Sequence, residues 1–442
     1  MNLTHSESDR ILQKNLQFIP GGVVSVNRAV EPNIVFIRGK GSHVWDADGN
    51  EYIDYHAGFA PFVLGHNDPD VNVAVETALK AGITLMGAGP TALEGELAER
   101  ICRHIPSVEK VQLTNTGSEA TFHALRIARA HTGLDGVIIM QGGYNGWHND
   151  VAANVMTPAD VLGPRISRGE YPFIPISAGI PDHIKTDVHV VNFNDLESVR
   201  WVAENNEIAC LILEPILQNV GIVKPEEGFL AGLRSLCDEF GIVLVFDEVK
   251  TGFRHAIGGY QTVCGVNPDL SVFGKAIANG FPIGAIGGRS ELMDYFVHPD
   301  PQKKVLIAGT YNAHPIPVAA AVATIDKLAA ADFAAFDRLD DLGQKMETGL
   351  TAIFTESGTQ AIVVRQGSAF CVYFGMESPP KDWHDIAAKH DMDLDTRYRR
   401  ALIDQGIYHF PLATKQGSIS LAHTDEDIAE TLEKTRKVVE SL

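Results

Sequence analysis

Two residues at the ends of apolar runs carry the types and spacing for covalent chemistry. Lys275 lies in Ser271-Val272-Phe273-Gly274-Lys275-Ala276-Ile277-Ala278-Asn279-Gly280, a primary amine just past a strand-like run and among small neighbours. Asp247 closes the run Ile242-Val243-Leu244-Val245-Phe246 and is followed by Glu248 and Val249. Desolvation among apolar neighbours lowers a lysine's pKa, which frees the amine to form an imine and later to move protons. A buried carboxylate beside a heteroaromatic nitrogen favours the charged form of both groups. An amine and an acid delivered by two strands of one sheet therefore meet the needs of pyridoxal phosphate: a lysine Schiff base and a carboxylate facing the pyridinium nitrogen. Singly, each residue also has an ordinary reading, Asp247 as the cap of a following helix and Lys275 as a solvated loop lysine. Their joint placement points to chemistry.

Two further turns fit the same cofactor. In Val111-Gln112-Leu113-Thr114-Asn115-Thr116-Gly117-Ser118-Glu119-Ala120 a strand ends in small polar residues, and Ala120, Ala124, Ile127 and Ala128 follow at helical spacing. Free N–H groups and the positive end of the dipole favour an anion at such a helix start, and Thr116 and Ser118 add hydroxyls. This turn is assigned to the cofactor phosphate; the competing reading is a plain capping box. Gly142-Gly143-Tyr144-Asn145-Gly146-Trp147-His148 follows another strand, and Tyr144 is placed to stack on the cofactor ring or else to pack within its loop. Stacking is worth roughly 1 kcal/mol beyond burial, so it orients more than it anchors. His148 reads as a loop histidine.

These residues need a large scaffold. The chain has 442 residues, enough for two domains, and its 45% hydrophobic and 21% charged composition is that of an ordinary globule with a large core. A net charge of −20 disfavours nucleic acid or an anionic membrane as partner, while leaving small anions to local positive sites. Cys102, Cys210, Cys237, Cys264 and Cys371 show no paired short spacing, so neither a disulfide framework nor a metal site is expected. With no basic-then-apolar leader and no run of membrane-spanning length, the expected setting is the cytoplasm.

Residues 33 to 55 alternate as short strands around Asp46-Ala47-Asp48-Gly49-Asn50, which predicts a small antiparallel sheet. From Glu96 onward, helical stretches alternate with apolar strands such as Gly136-Val137-Ile138-Ile139-Met140 and Ile208-Ala209-Cys210-Leu211-Ile212-Leu213. That alternation predicts an α/β fold with a mostly parallel, helix-covered sheet. An alanine-rich helix from Pro315 through Ala331 is expected to carry the chain out of the large domain. Beyond it, Ala361–Val364, Ala369–Phe374 and Ser418–Leu421 read as strands of a smaller α+β domain, joined by the N-terminal strands. The expected organisation is residues 1–60 contributing to the small domain, 61–315 as the large cofactor domain, and 316–442 as the rest of the small domain. Gly39-Lys40-Gly41 falls in a hairpin, and no phosphate-loop or dinucleotide fingerprint appears, so a nucleotide-dependent binding protein is disfavoured.

At this extent the chain resembles the class III aminotransferases of the fold-type I pyridoxal phosphate enzymes, and within them the glutamate-1-semialdehyde 2,1-aminomutase branch. The resemblance runs from Pro20-Gly21-Gly22-Val23 through Trp45-Asp46-Ala47-Asp48-Gly49-Asn50-Glu51-Tyr52-Ile53-Asp54, Leu64-Gly65-His66 and Asp247-Glu248-Val249-Lys250-Thr251-Gly252-Phe253-Arg254 to Ser420-Leu421-Ala422-His423-Thr424. It implies pyridoxal 5'-phosphate as cofactor, with Lys275 carrying the Schiff base and Asp247 pairing with the ring nitrogen. It further implies that Val249 packs against the ring, that Thr116, Gly117 and Ser118 hold the phosphate, and that Tyr144 stacks. Asn219, in Glu214-Pro215-Ile216-Leu217-Gln218-Asn219, would donate to the phenolic oxygen. Thr310, in Gly309-Thr310-Tyr311-Asn312, would reach a neighbouring subunit's phosphate, which requires a homodimer. Arg28, in Ser25-Val26-Asn27-Arg28-Ala29, would fork onto a substrate carboxylate; the competing reading is a surface arginine lying over the small domain.

Three departures bear on the reaction. Asn145 replaces the histidine usual after the stacking tyrosine, and Thr116-Gly117-Ser118 replaces Ser-Gly-Thr; both keep hydrogen-bonding capacity. Lys415 stands where the aminomutase pattern places a glutamate. The segment 157–181 matches the aminomutase gating loop in position and diverges in sequence. Aminomutation must retain its intermediate behind a shut lid, whereas transamination releases a keto product. The expected activity is therefore an aminotransferase, moving an amino group from an amino acid or related carboxylate-bearing amine to a keto acid. The alternatives are an aminomutase, and then a racemase or epimerase on the same scaffold.

Overall fold

A computed structural model describes residues 3–84 and 89–442. The chain divides into two compact units: residues 1–68, 337–379 and 390–442 make the first, and 69–336 with 380–389 make the second.

The first unit opens with three antiparallel strands, β1 (Phe36–Lys40), β2 (His43–Asp46) and β3 (Glu51–Asp54). The turn between β2 and β3 follows from its residues. Asp46 accepts the N–H groups of Asp48 at 3.0 Å and Asn50 at 2.8 Å, and Gly49 supplies a φ of 88°.

In the second unit β4 (Lys110–Thr114), β5 (Gly136–Met140), β6 (Val188–Val191), β7 (Ile208–Leu213), β8 (Val243–Asp247), β9 (Leu270–Phe273) and β10 (Gly284–Gly288) form one sheet in the order β4-β10-β9-β8-β7-β5-β6. β10 alone runs against its neighbours. The strands β5 to β9 are buried along their length, as expected of unbroken apolar runs covered on both faces. Helices α1 (Gly117–Thr132) and α2 (Phe229–Phe240) belong to this cover; each buries an apolar stripe and ends at a left-handed glycine, Gly133 and Gly241. Because β4, β5, β7, β8 and β9 share one direction, their C-terminal ends open on one edge, where α/β sheets bind ligands.

The alanine-rich stretch begins α3 (Pro315–Ser357), whose course breaks at Ala331, Asp332 and Phe333 with φ of 50°, 55° and 66°. The first stretch of the second unit ends three residues later. Back in the first unit come β11 (Ala361–Gln366), β12 (Ala369–Phe374), α4 (Met392–Asp404), β13 (Ile407–Tyr408), β14 (Gly417–Ser418) and α5 (Asp425–Val439). Phe354, Phe370, Phe374, Tyr398, Leu402 and Ile428 build its core.

One sequence expectation needs correction. The N-terminal strands do not join the sheet of β11, β12 and β14; they pair instead with β13, which lies parallel to β3. β12 has β11 along its whole length on one edge and β14 at Ala369 and Phe370 on the other.

Segment 380–389 belongs to the second unit through specific bonds. Trp383 Nε1 donates to the Thr157 carbonyl at 2.8 Å, and Arg165 pairs with Asp382 and Asp385. No described helix is long and apolar enough to cross a membrane. The five cysteines are free thiols.

Candidate active site

The C-terminal edge of the large sheet gathers most of the residues singled out in the sequence. Lys275 follows β9 by one residue and opens a short turn with buried Ala276, Ile277 and Ala278. Its φ of 49° is left-handed, a conformation that costs a non-glycine residue on the order of 1–3 kcal/mol and persists where surroundings impose it. Burial pulls its ammonium below the ordinary lysine range, while the charges of Asp247 and Glu214 act in the opposite sense.

Asp247 ends β8, next to β9, and is 3% exposed. Its Oδ2 accepts Asn145 Nδ2 at 2.8 Å and its Oδ1 accepts the Val249 N–H at 3.0 Å. Burial raises its carboxyl above the usual range, and those two bonds and Lys275 pull back without cancelling it. Each oxygen keeps lone-pair capacity for a further donor.

The Thr116-Gly117-Ser118 turn is a helix cap. Thr116 Oγ1 accepts the Glu119 N–H at 3.2 Å, while Glu119 accepts the N–H groups of Asn115 at 2.7 Å and Thr116 at 3.3 Å. The capping-box reading thus holds for Thr116. The N–H groups of Gly117 and Ser118, the first two of α1, meet no acceptor among the described residues, which leaves them for an anion. A Cβ on Gly117 would stand 2.7 Å from Val249 Cγ2, and one on Gly274 would stand 3.3 Å from Val249 Cγ1. Val249 therefore fills the space between the Thr116-Gly117-Ser118 turn and the residue before Lys275.

Tyr144 lies half-buried after β5, its N–H donating to Glu214 at 3.0 Å, and burial together with Asp247 raises its phenol. His148 is accounted for structurally: it bonds Thr121 at 3.2 Å and faces Asp150 at 3.5 Å. Asn219 is partly buried in the loop after β7. Thr310 is exposed, two residues before Asn312, which accepts from Asn115 at 2.9 Å. Arg28 belongs to the first unit, exposed at the end of a single helical turn. Lys415, also in the first unit, follows Thr414, whose N–H donates to buried Asp395 at 2.7 Å.

Two further residues stand close to Asp247. Asn145 appeared only as a departure from a pattern, yet it holds the buried acid. Glu214 accepts from both Tyr144 and Gln218, each at 3.0 Å, tying the loops after β5 and β7; burial pushes it to about 7, opposed by Lys250 and helped by Asp247. An acid directly after an unbroken apolar strand was the available signal for Glu214.

The donor set fits pyridoxal phosphate: an amine held below its ordinary pKa, a buried carboxylate with open lone pairs, two free N–H groups at a helix start, and glycines where a side chain would collide. Fold and site together define a fold-type I pyridoxal phosphate enzyme. The chain belongs to the class III aminotransferases, whose family model matches residues 24–439. Among its relatives, a glutamate-1-semialdehyde 2,1-aminomutase of Citrifermentans bemidjiense is 36% identical over 100% of both chains. A protein of the same name from Methanothrix thermoacetophila is 37% identical over 98% of this chain and 96% of its own. The crystal structure of an omega-transaminase from Sphaerobacter thermophilus superposes with a TM-score of 0.89 at 30% identity, covering 98% of this chain and 97% of that one.

Proposed function

We propose that this chain moves an amino group from a carboxylate-bearing amine to a keto acid, with pyridoxal 5'-phosphate held at the C-terminal edge of the large sheet. The carrying observation is the placement of Lys275 and Asp247 at the C-terminal ends of adjacent strands, with the acid held by Asn145. Pyridoxal phosphate supplies an electron sink for the carbon that bears the amine. Asp247 holds the proton at the ring nitrogen. Lys275 Nζ would be the amine that holds the cofactor and would carry a proton to and from the substrate carbon. The N–H groups of Gly117 and Ser118 and the Thr116 hydroxyl would hold the phosphate, with Tyr144 and Val249 toward the ring and Asn219 toward the phenolic oxygen. Arg28 takes the substrate carboxylate in a fork. The working form is a homodimer in the cytoplasm, with Thr310 serving the neighbouring subunit.

A second reading has its own support. The two aminomutase relatives span essentially the whole chain, and they favour intramolecular exchange over transfer between two molecules. Transfer is supported by Lys415, a cation where the aminomutase pattern carries an acid, and by likeness to a transaminase structure. The two readings part in a single experiment. Glutamate-1-semialdehyde and a panel of amino acids are supplied with and without a keto acid, while the cofactor's visible bands and the products are followed. Transfer predicts keto product that accumulates only when an acceptor completes the cycle. Isomer formed without acceptor, and no keto product with any amine, would replace transfer by aminomutation.

A further inference from the structure

The first unit holds an open pocket of about 330 Å³, at the lower end of the roughly 300–1,000 Å³ usual for small-molecule sites. Its wall is largely aromatic, with Phe36, Phe59, Phe62, Tyr408 and Phe410 on the lining. Phe36 stands edge-on to Tyr408 with centroids 4.8 Å apart, Phe59 and Phe410 lie 5.0 Å apart, and His56 stacks on Phe410 at 4.6 Å. Such a wall offers ring edges and faces to another ring.

The two charged residues on the lining besides histidine are in opposite situations. Asp54 is engaged: it accepts His66 Nε2 at 2.7 Å and the N–H groups of His56 at 2.8 Å and Ala57 at 3.0 Å. The Arg28 guanidinium has no acidic partner among the described residues. A ligand here meets an available cation and a spoken-for anion, so it carries negative charge.

The backbone adds an independent sign. Ala57, Gly58, Phe59 and Ala60 take φ of 48°, 59°, 68° and 78° in succession. Three of these four carry a Cβ in a region that side chains avoid, and strain of this kind collects where a site needs it. Phe59, in the middle of that run, is one of the rings on the wall.

We infer that this cavity takes an arylalkanoate, its carboxylate on Arg28 and its ring among Phe36, Phe59 and Phe410, and that the amine substrate of the transfer proposed above belongs to that class. The inference rests on the transfer reading for its second half only. Calorimetric titration of the holoenzyme with 3-phenylpropanoate, which has no amine and binds without reacting, tests it against butanoate. The aryl acid binds at least tenfold tighter; Phe59→Leu and Phe410→Leu each reduce that ratio threefold or more, and Arg28→Gln weakens both acids together. Should the Phe410→Leu protein misfold, as judged by near-UV dichroism, Phe36→Leu at the more exposed end of the wall serves instead. Equal affinity for the two acids, no binding of either, or a ratio untouched by the leucine variants overturns the inference. Tight aryl binding by an enzyme that converts no amine would spare the cavity assignment and remove the transfer reading. Turnover without preference for aryl amines would spare transfer and remove the substrate class.

Discussion

At the scale of single residues the proposed chemistry turns on one acid and the amide that steadies it. Burial works against the Asp247 carboxylate, and the bond from Asn145 is one of the few forces holding it ionised. A hydrogen bond to a charged, buried group contributes roughly 1.5–3 kcal/mol. Asn145→Ala therefore pushes the Asp247 pKa still higher. Because the ionised acid is the useful form, the acid limb of the pH profile of kcat/KM moves to higher pH, and activity at neutral pH falls about tenfold. An unmoved limb with an equal loss at every pH would show that Asn145 acts some other way. Lys275 and Asp247 were legible in the sequence because each ends an apolar run. The Asn145 contact was not, since it joins a loop to a strand end 102 residues away and no local pattern records such a pairing.

At the scale of elements, the helix start of α1 does two jobs, capping itself through Thr116 and Glu119 while leaving the N–H groups of Gly117 and Ser118 open. Gly117 has to be glycine here. A methyl at that position meets Val249 Cγ2 at 2.7 Å and Cγ1 at 3.1 Å, and a β-branched valine has little rotamer freedom to yield. Gly117→Ala is thus expected to tilt the first turn and weaken pyridoxal phosphate at least tenfold in an absorbance titration. Unchanged cofactor affinity would mean the phosphate binds elsewhere. The large sheet was readable because strands buried on both faces are continuous apolar runs, as in Ile208–Leu213 and Val243–Phe246. The pairing of Ile407–Tyr408 with Ile53–Asp54 was not, because a two-residue parallel strand carries no periodicity of its own. The return of segment 380–389 to the second unit hangs on Trp383, Asp382 and Asp385, three side chains whose partners near Thr157 and Arg165 lie more than 200 residues away.

At the scale of the whole molecule, the proposed dimer makes a prediction that a monomeric site cannot imitate. If Thr310 serves the neighbouring subunit, mixing Lys275→Ala and Thr310→Ala chains under subunit exchange rebuilds one intact site per mixed dimer. Activity then rises above that of either variant alone, toward about half the wild-type value per mixed dimer. No recovery would place the Thr310 contribution within its own chain, beside Asn312, which accepts from Asn115. The central claim is nearer to hand. Holoenzyme reconstituted with pyridoxal phosphate, reduced with borohydride, digested and analysed by mass spectrometry reports which amine held the cofactor. The account predicts the pyridoxyl mass on the peptide containing Lys275. A label on Lys250, whose Nζ donates to the Gln218 carbonyl at 2.8 Å in the same unit, or a protein that takes no label at all, would contradict it.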